Sequence, residues 1–168
     1  MIGAVVLAAG ASTRYGRPKQ RELLPAVLDA LGRSPVDEVV VVAGAHELEL
    51  EARAGARLVQ ADDWPDGPGA SLRAGLAALG DPVSHALVVL ADGPELDPRA
   101  VERVIEHRSN GPVVAASYDG TRSHPVVLAR STWSSMPDDG GRALDPVLVD
   151  CSDLRPPGDV DYPPTRVR

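Results

Sequence analysis

A glycine-rich segment near the start of the chain, LAAGASTRYGRPKQ at residues 7–20, contains Lys19, the only lysine among 17 basic side chains. Such a turn between a strand and a helix exposes backbone N–H groups that can bind phosphate, and Arg14 and Lys19 add positive charge. The segment fits neither the dinucleotide fingerprint nor the P-loop, because five residues separate Gly10 from Gly16 and Lys19 does not follow the second glycine directly. The residues alone predict either a phosphate loop of another kind or a glycine turn with charges at the surface.

A carboxylate stands at a second position where chemistry is expected. Asp92 follows the apolar run 86–91, which predicts a buried strand. Mg²⁺ prefers hard oxygen ligands and keeps several of its waters, so one or two carboxylates at strand ends can hold it. Alone, Asp92 and Gly93 would form an ordinary turn. Beside a phosphate-binding loop, Asp92 is predicted to be a magnesium ligand.

The apolar pattern predicts the elements that must position these residues. Continuous apolar runs indicate strands, and leucine and valine at helical spacing indicate helices. The strands are expected at residues 2–8, 39–42, 57–60, 86–91, 113–116 and 125–129, and the helices at 23–31, from 69 onward and after Asp97. This alternation predicts an α/β fold, one Rossmann-like domain with a mostly parallel sheet and helices on both faces. Ligands of such sheets bind at the carboxyl ends of the strands, where the loops at 10–19, 67–71 and Asp92 should converge.

Composition excludes several functional classes. A chain of 168 residues suits one domain, with residues 156–168 as a proline-rich extended tail. The formal net charge of −7 argues against general binding to nucleic-acid backbones. We see no signal peptide and no membrane-spanning run, and the single cysteine, Cys151, cannot form an internal disulfide and is expected to be a packing residue. A cytoplasmic location follows as the expectation.

Six stretches occur in one order over nearly the whole chain and carry a resemblance. They are Leu7-Ala8-Ala9-Gly10-Ala11-Ser12-x-Arg14-x-Gly16-x-x-Lys19-Gln20, Gly69-Ala70-Ser71-Leu72-Arg73-x-Gly75-Leu76, Asp92-x-Pro94, Arg122-x-His124-Pro125, Asp138-x-Gly140-Gly141-Arg142 and Asp159-Val160-Asp161-Tyr162-Pro163. Together they resemble the signature of the MobA-like nucleotidyltransferases, which attach CMP or GMP to the molybdenum cofactor. The first stretch is also similar, in a looser form, to the corresponding motif of sugar-nucleotide pyrophosphorylases and cytidylyltransferases.

The resemblance implies a nucleotide-diphospho-sugar transferase fold and a Mg²⁺-dependent reaction. The phosphate of molybdopterin would attack the α-phosphate of a nucleoside triphosphate, and pyrophosphate would leave. The implied catalytic residues are Arg14, Lys19 and Asp92. The implied nucleotide-binding residues are Leu7, Ala8, Ala9, Gly10, Ser12, Arg14, Lys19, Gly69 and Ser71. The implied acceptor-binding residues are Arg122, His124, Asp138 and Arg142. The implied metal ligands are Asp92 and Asp161, with Asp159 as the alternative second carboxylate.

Several alternatives remain open at this point. CTP is expected over GTP, because Ala8-Ala9 stands where guanylyl-transferring relatives have two glycines and the added methyls leave less room for a purine. His124 could instead be a packed core histidine, and Arg142 a surface charge. The chain could also be a non-catalytic cofactor-binding partner that matures a molybdoenzyme, or a nucleotidyltransferase using GTP or CTP for another phosphorylated acceptor. The segment after Gln20 is shorter than in the family, which should open one side of the acceptor site.

Overall fold

The structure, a computed structural model, describes residues 1–12, 16–17, 19–50 and 55–160. Its strands are β1 (Ile2–Ala8), β2 (Glu38–Ala43), β3 (Arg57–Gln60), β4 (His85–Leu90), β5 (Val113–Tyr118), β6 (Thr121–Ala129) and β7 (Val147–Asp150). Its α-helices are α1 (Lys19–Leu31), α2 (Pro68–Ala78) and α3 (Pro98–Glu106), with 3₁₀ turns at Trp64–Asp66, Arg108–Asn110 and Arg130–Ser135.

The strands form one sheet in the order β3-β2-β1-β4-β6-β5-β7. Within the described part of the chain, β6 is the strand that runs antiparallel to both of its neighbours. The remaining neighbours pair in parallel, with Val5 opposite Val40 on one side and Val88 on the other. The predicted mostly parallel sheet is therefore confirmed.

Helices cover the sheet on both faces. Val27 of α1 and Val101 of α3 pack in one apolar cluster, and Leu72 of α2 lies in a second cluster on the opposite face. A glycine at position 75 brings α2 close to the sheet, since a Cβ there would lie 2.5 Å from Val5 Cγ1. Near-continuous burial of both faces explains why the central strands are apolar throughout their length.

Three elements differ from the expectations drawn from sequence. β7 was not predicted, because it is a short edge strand whose Leu148 is 46% exposed and whose apolar run is only three residues long. α1 begins at Lys19, before the predicted start, and β6 begins at Thr121, so that His124 lies on a strand instead of in a turn. The extended start of β6 carries the polar stretch 122–124 into the sheet.

The C-terminal part of the chain is described as far as residue 160. Residues 156–160 belong to no helix or strand, and the rest of the predicted tail, 161–168, lies outside the described residues. Of the helices that the structure describes, none combines the length and the apolar character needed to span a membrane.

Candidate active site

The glycine-rich loop after β1 is closed by side chains from its own ends. The Ser12 hydroxyl donates to Gln20 Oε1 at 2.7 Å, and Gln20 Nε2 donates to the Gly10 carbonyl at 2.9 Å. The backbone N–H of Lys19 donates to Ser12 Oγ at 3.3 Å, which gives the first residue of α1 a hydrogen-bond acceptor. Gln20 is almost fully buried. The loop is therefore fixed to the start of α1, and Lys19 is held at a defined place.

The ammonium of Lys19 is surrounded by oxygen atoms. Lys19 Nζ lies 2.8 Å from Asp92 Oδ2 and 3.7 Å from Asp159 Oδ1, and it donates to the Val160 carbonyl at 2.9 Å. The Lys19 side chain is 11% exposed. The lone lysine of the chain thus occupies a tight, largely buried site where a compact charge with three donors fits its acceptors.

The segment after residue 156 closes one side of this arrangement. The Val160 N–H donates to the Asp92 carbonyl at 3.2 Å, and the Glu95 N–H donates to the Pro157 carbonyl at 3.1 Å. These bonds hold Asp159 and Val160 over the carboxyl end of β4. They explain how a residue 141 positions away in sequence reaches Lys19.

A cavity of about 520 Å³ opens at the carboxyl ends of β1 and β4, and we call it the loop cavity. Eight of the residues predicted from sequence to form the site lie in its wall: Leu7, Ala9, Gly10, Ser12, Lys19, Ser71, Asp92 and Arg142. Ala8 points to the opposite face of the sheet, into the cluster beneath α1 and α3. The predicted convergence of three loops on one crevice is therefore seen in the structure.

Gly69 connects the start of α2 with the loop at 137–142. Its N–H donates to the Asp138 carbonyl at 3.0 Å, and a Cβ at this position would lie 2.4 Å from the Pro137 carbonyl oxygen. Gly69 therefore permits a close backbone contact, and its N–H is already used within the protein. Ser71, two residues later, is the residue of this motif that lines the loop cavity.

A second cavity of about 350 Å³ adjoins the first, and we call it the strand cavity because β6 lines it. Arg122, His124 and Arg142 are in its wall, and Leu7, Pro68, Leu90 and Arg142 belong to the walls of both cavities. The motifs predicted to bind the acceptor thus lie directly beside those predicted to bind the nucleotide.

Two side chains shape the loop that forms the far wall of the strand cavity. The Arg122 guanidinium donates to the carbonyls of Gly141, Arg142 and Leu144 at 2.8–3.2 Å. The Asp139 carboxylate accepts from three backbone N–H groups of the same loop at 2.8–3.1 Å. Arg122 and Asp139 therefore position this loop, and the exposed Arg142 is carried by it.

The Asp138 side chain does not line the strand cavity, whereas the adjacent Asp139 does. Its carboxylate accepts from Arg73 Nη1 at 3.0 Å and its side chain is 88% exposed. Among the described residues, Asp139 and not Asp138 lines the strand cavity. Sequence reasoning could not distinguish two adjacent aspartates.

The electrostatic environment keeps His124 uncharged. Burial, with a further contribution from the Arg122 guanidinium, lowers the pKa of His124 to about 4. The carboxylate of Asp92 acts in the opposite direction, and it does not outweigh burial. At neutral pH the imidazole can donate one N–H and accept at its other nitrogen, but it carries no positive charge.

The remaining predicted site residues lie outside the described part of the chain. They are Arg14 and Asp161. No cluster of three or more His, Cys, Asp or Glu side chains suited to a metal occurs among the residues that the structure describes. The oxygens gathered at the Lys19 ammonium, from Asp92, Asp159 and Val160, are nevertheless the hard donors that Mg²⁺ accepts.

Sequence reasoning missed one large side chain of the site. Trp64, in the 3₁₀ turn before α2, lines the loop cavity together with Gly67 and Pro68. The available signal was compositional, because Trp64 is one of two tryptophans in a chain without phenylalanine and precedes a Gly-Pro-Gly stretch.

Comparison with known proteins agrees with this geometry. A family model described as the MobA-like NTP transferase domain matches residues 4–144. The bifunctional protein GlmU of Cereibacter sphaeroides is 30% identical over 140 residues, which is 71% of this chain and 29% of that protein. The chain thus spans less than a third of the length of this relative.

Solved structures with the same fold include nucleotide-dependent enzymes. Rv0371c from Mycobacterium tuberculosis H37Rv has a TM-score of 0.76 and 26% identity, with 96% of this chain and 93% of that chain covered. Its complex with manganese has a TM-score of 0.67 and 24% identity, covering 89% and 88%. CMP:2-keto-3-deoxy-manno-octonic acid synthetase complexed with CTP has a TM-score of 0.72 at 12% identity, covering 96% and 93%.

The family match contains every residue that lines the two cavities, from β1 to the loop at 137–142, and it leaves out the segment that supplies Asp159 and Val160. The chain belongs to the MobA-like NTP transferase family and carries its nucleotidyltransferase domain.

Proposed function

We propose that the protein transfers CMP from CTP to the phosphate of molybdopterin and releases pyrophosphate. The observation that carries this proposal is the pair of adjoining cavities with the shared wall residues Leu7, Pro68, Leu90 and Arg142. A transfer reaction needs two substrates whose reacting atoms meet, and positioning of that kind accounts for much of the catalysis of phosphoryl-type transfer. The loop cavity would take the nucleotide and the strand cavity the acceptor.

The reaction needs no base from the protein at the acceptor. A phosphate oxygen that is already anionic attacks the α-phosphorus of CTP, a new P–O bond forms, and the bond from the α-phosphorus to the bridging oxygen of pyrophosphate breaks. The uncharged state of His124 agrees with this requirement, since the imidazole would orient the acceptor by hydrogen bonding without taking a proton. Arg142, at the junction, would bind an anionic oxygen with its planar fork of donors.

Lys19 would stabilise the charge that builds up on the triphosphate. In the structure its ammonium is paired with the Asp92 carboxylate and donates to the Val160 carbonyl. A triphosphate offers stronger acceptors than a carbonyl, so the ammonium would turn from Val160 towards the phosphates. Donors that are fixed in advance at the place where charge develops are among the largest contributions to such catalysis.

Mg²⁺ is proposed as the metal, with Asp92 as ligand and Asp161 as the second carboxylate. The fit is one of chemistry, because the oxygens around the Lys19 ammonium are already arranged about a cation. The metal would neutralise charge on the phosphates. Rv0371c, whose structure with manganese is similar in fold, supports a divalent metal in this family.

A nucleotidyltransferase acting on another phosphorylated acceptor is the second candidate. The observation in its favour is the similarity in fold to CMP:2-keto-3-deoxy-manno-octonic acid synthetase, an enzyme named for a sugar acid. Both candidates use the same nucleotide site and differ only in the strand cavity.

The test combines the protein with CTP, Mg²⁺ and molybdenum cofactor, and assays pyrophosphate and the cofactor dinucleotide. Stoichiometric formation of both, reduced in His124→Ala, is the expected result. Tight cofactor binding without pyrophosphate would instead identify a delivery protein for a molybdoenzyme. Acceptance of a sugar phosphate in place of the cofactor would establish the second candidate.

A further inference from the structure

Trp64 lines the loop cavity, and the proposed reaction assigns no role to its side chain. Its side chain is partly buried, packs on the apolar cluster beneath α2, and also lines the cavity that holds Lys19 and Asp92. An aromatic ring that packs against the core and also lines a cavity gives that cavity a flat, rigid apolar surface.

The backbone that carries the Trp64 ring is held at a defined place. The backbone N–H of Trp64 donates to the Ala61 carbonyl at 3.2 Å, and the Gly67 N–H donates to the Trp64 carbonyl at 3.2 Å. On the sheet side, a Cβ on Gly44 would lie 2.7 Å from both Trp64 Cβ and Ala9 Cβ. Glycine at position 44 therefore allows the Trp64 backbone and Cβ to lie directly beside the ends of β1 and β2, and the ring starts from this place before any ligand binds.

The placement across the sheet separates the ring from the charged residues. Gly44, which Trp64 contacts, follows β2, and Asp92 follows β4, while β1 lies between these two strands. Neighbouring strands are about 4.8 Å apart, so the two ends of the cavity are separated by roughly 10 Å. That span accommodates a nucleotide with its phosphates at Lys19 and its base at Trp64, with the ribose over the small residues Ala9 and Gly10.

We propose that the indole of Trp64 is the platform on which the base of the bound nucleotide stacks. The inference rests on the proposed function insofar as it takes the loop cavity to be a nucleotide site. Stacking tolerates any base because every base has a π-face. Trp64 therefore supplies affinity for the nucleoside portion, and the choice between cytosine and guanine comes from the shape of the rest of the cavity. The competing interpretation is that Trp64 only fills the apolar cluster.

The chain allows an optical test, because it has only two tryptophans. Trp133 lies beside Arg130, whose guanidinium carbon is 4.8 Å from the ring centroid, and donates from Nε1 to the Leu128 carbonyl at 3.3 Å. In Trp133→Phe, Trp64 is the only source of tryptophan emission. Titration with CTP and Mg²⁺ should change that emission, and the titration curve should give the same dissociation constant as calorimetry. Inorganic tripolyphosphate with Mg²⁺, which has no base, should bind by calorimetry with little change in emission.

Affinity supplies the second readout. In Trp64→Leu the dissociation constant of CTP should rise about ten- to a hundredfold, the range typical of losing one base–aromatic stack. The constant for tripolyphosphate should stay at the parental value, and Trp64→Phe should recover most of the CTP affinity. The tripolyphosphate result also verifies that the variant is folded, since its phosphate site must be intact to bind.

The outcomes separate this proposal from the proposed function. If CTP binds the parent protein, leaves the emission of Trp64 unchanged and binds Trp64→Leu equally well, the stacking role is overturned while the nucleotide site stands. If the parent protein binds neither CTP nor GTP by calorimetry, the nucleotide site is refuted and the stacking role with it.

Discussion

Replacing Lys19 by arginine keeps the charge and changes only its shape, so it tests why the chain has a lysine at this one position. The ammonium nitrogen has oxygens at 2.8, 2.9 and 3.7 Å, and its side chain is 11% exposed. A guanidinium spreads its donors over a planar fork and cannot place them all where a single nitrogen now sits. The larger group would have to displace Asp92 or the segment that carries Val160.

The expected cost falls on turnover more than on folding. Losing one fixed donor at developing charge lowers kcat by about 10²–10³, equivalent to roughly 2.7–4 kcal/mol. Lys19→Arg retains a counter-charge for Asp92, so it should lose less stability than a variant without the charge, although the larger group strains the site. Lys19→Met leaves Asp92, whose side chain is 23% exposed, without its partner. Because that site is only partly buried, the loss of stability should be about 1–2 kcal/mol, below the 3–5 kcal/mol of a fully buried pair.

The assay is pyrophosphate release with CTP, Mg²⁺ and acceptor, paired with urea unfolding of each variant. Arg21→Lys is the matched control, because Arg21 is an exposed residue of α1 that donates to the Glu47 carbonyl, and it should keep the parental rate. A parental rate in Lys19→Arg would refute the reasoning about shape. An equal loss of stability in Lys19→Arg and Lys19→Met would refute the reasoning about charge.

Four further changes have defined outcomes. Asp92→Asn should lower the rate and raise the Mg²⁺ concentration for half-maximal activity in a metal titration, and an unchanged titration would remove Asp92 as a ligand. Ala9→Gly should bring GTP affinity closer to that of CTP in calorimetry, because it removes a methyl from the loop cavity; tighter GTP binding by the parent would contradict this. Gly69→Ala should cost about 1–3 kcal/mol in urea unfolding, since its Cβ would meet the Pro137 carbonyl, and parental stability would show that the contact can open. Burial lowers the pKa of His124 to about 4, whereas the same imidazole in the unfolded chain has a pKa of about 6.5. As the pH falls from about 6.5 to 4, the unfolded chain therefore binds a proton at His124 before the folded protein does. The folded protein loses at most about 3 kcal/mol of stability over this pH range. In urea unfolding at several pH values, His124→Gln should show a flatter decline, and an identical slope would contradict the burial argument.

The sequence predicts the parts of the fold that are buried on both faces. β1, β2 and β4 are continuous apolar runs, and this pattern is sufficient to place their carboxyl ends at the site. The start of β6 was missed because Ser123 and His124 line the strand cavity and are polar for that reason. Apolar periodicity therefore fails at the very place where a strand contributes to a site.

Contacts made by backbone atoms could not be predicted from residue types. The resemblance implies that Gly69 binds the nucleotide, whereas its N–H donates to the Asp138 carbonyl. Likewise, Asp139 and not Asp138 lines the strand cavity, where its carboxylate accepts from the N–H groups of a turn in which Gly140 and Gly141 have φ of 73° and 86°. Such roles depend on the path of the chain, which a motif does not specify.

The central claim is that one CTP and one molybdenum cofactor react at the junction of the two cavities. A single-turnover experiment with CTP labelled at the α-phosphorus, Mg²⁺ and cofactor tests it most directly. The account predicts that the label enters the cofactor dinucleotide in an amount equal to the pyrophosphate released, and that Lys19→Arg slows both together. Label that remains in CTP, or that appears only as free CMP, would contradict transfer to this acceptor.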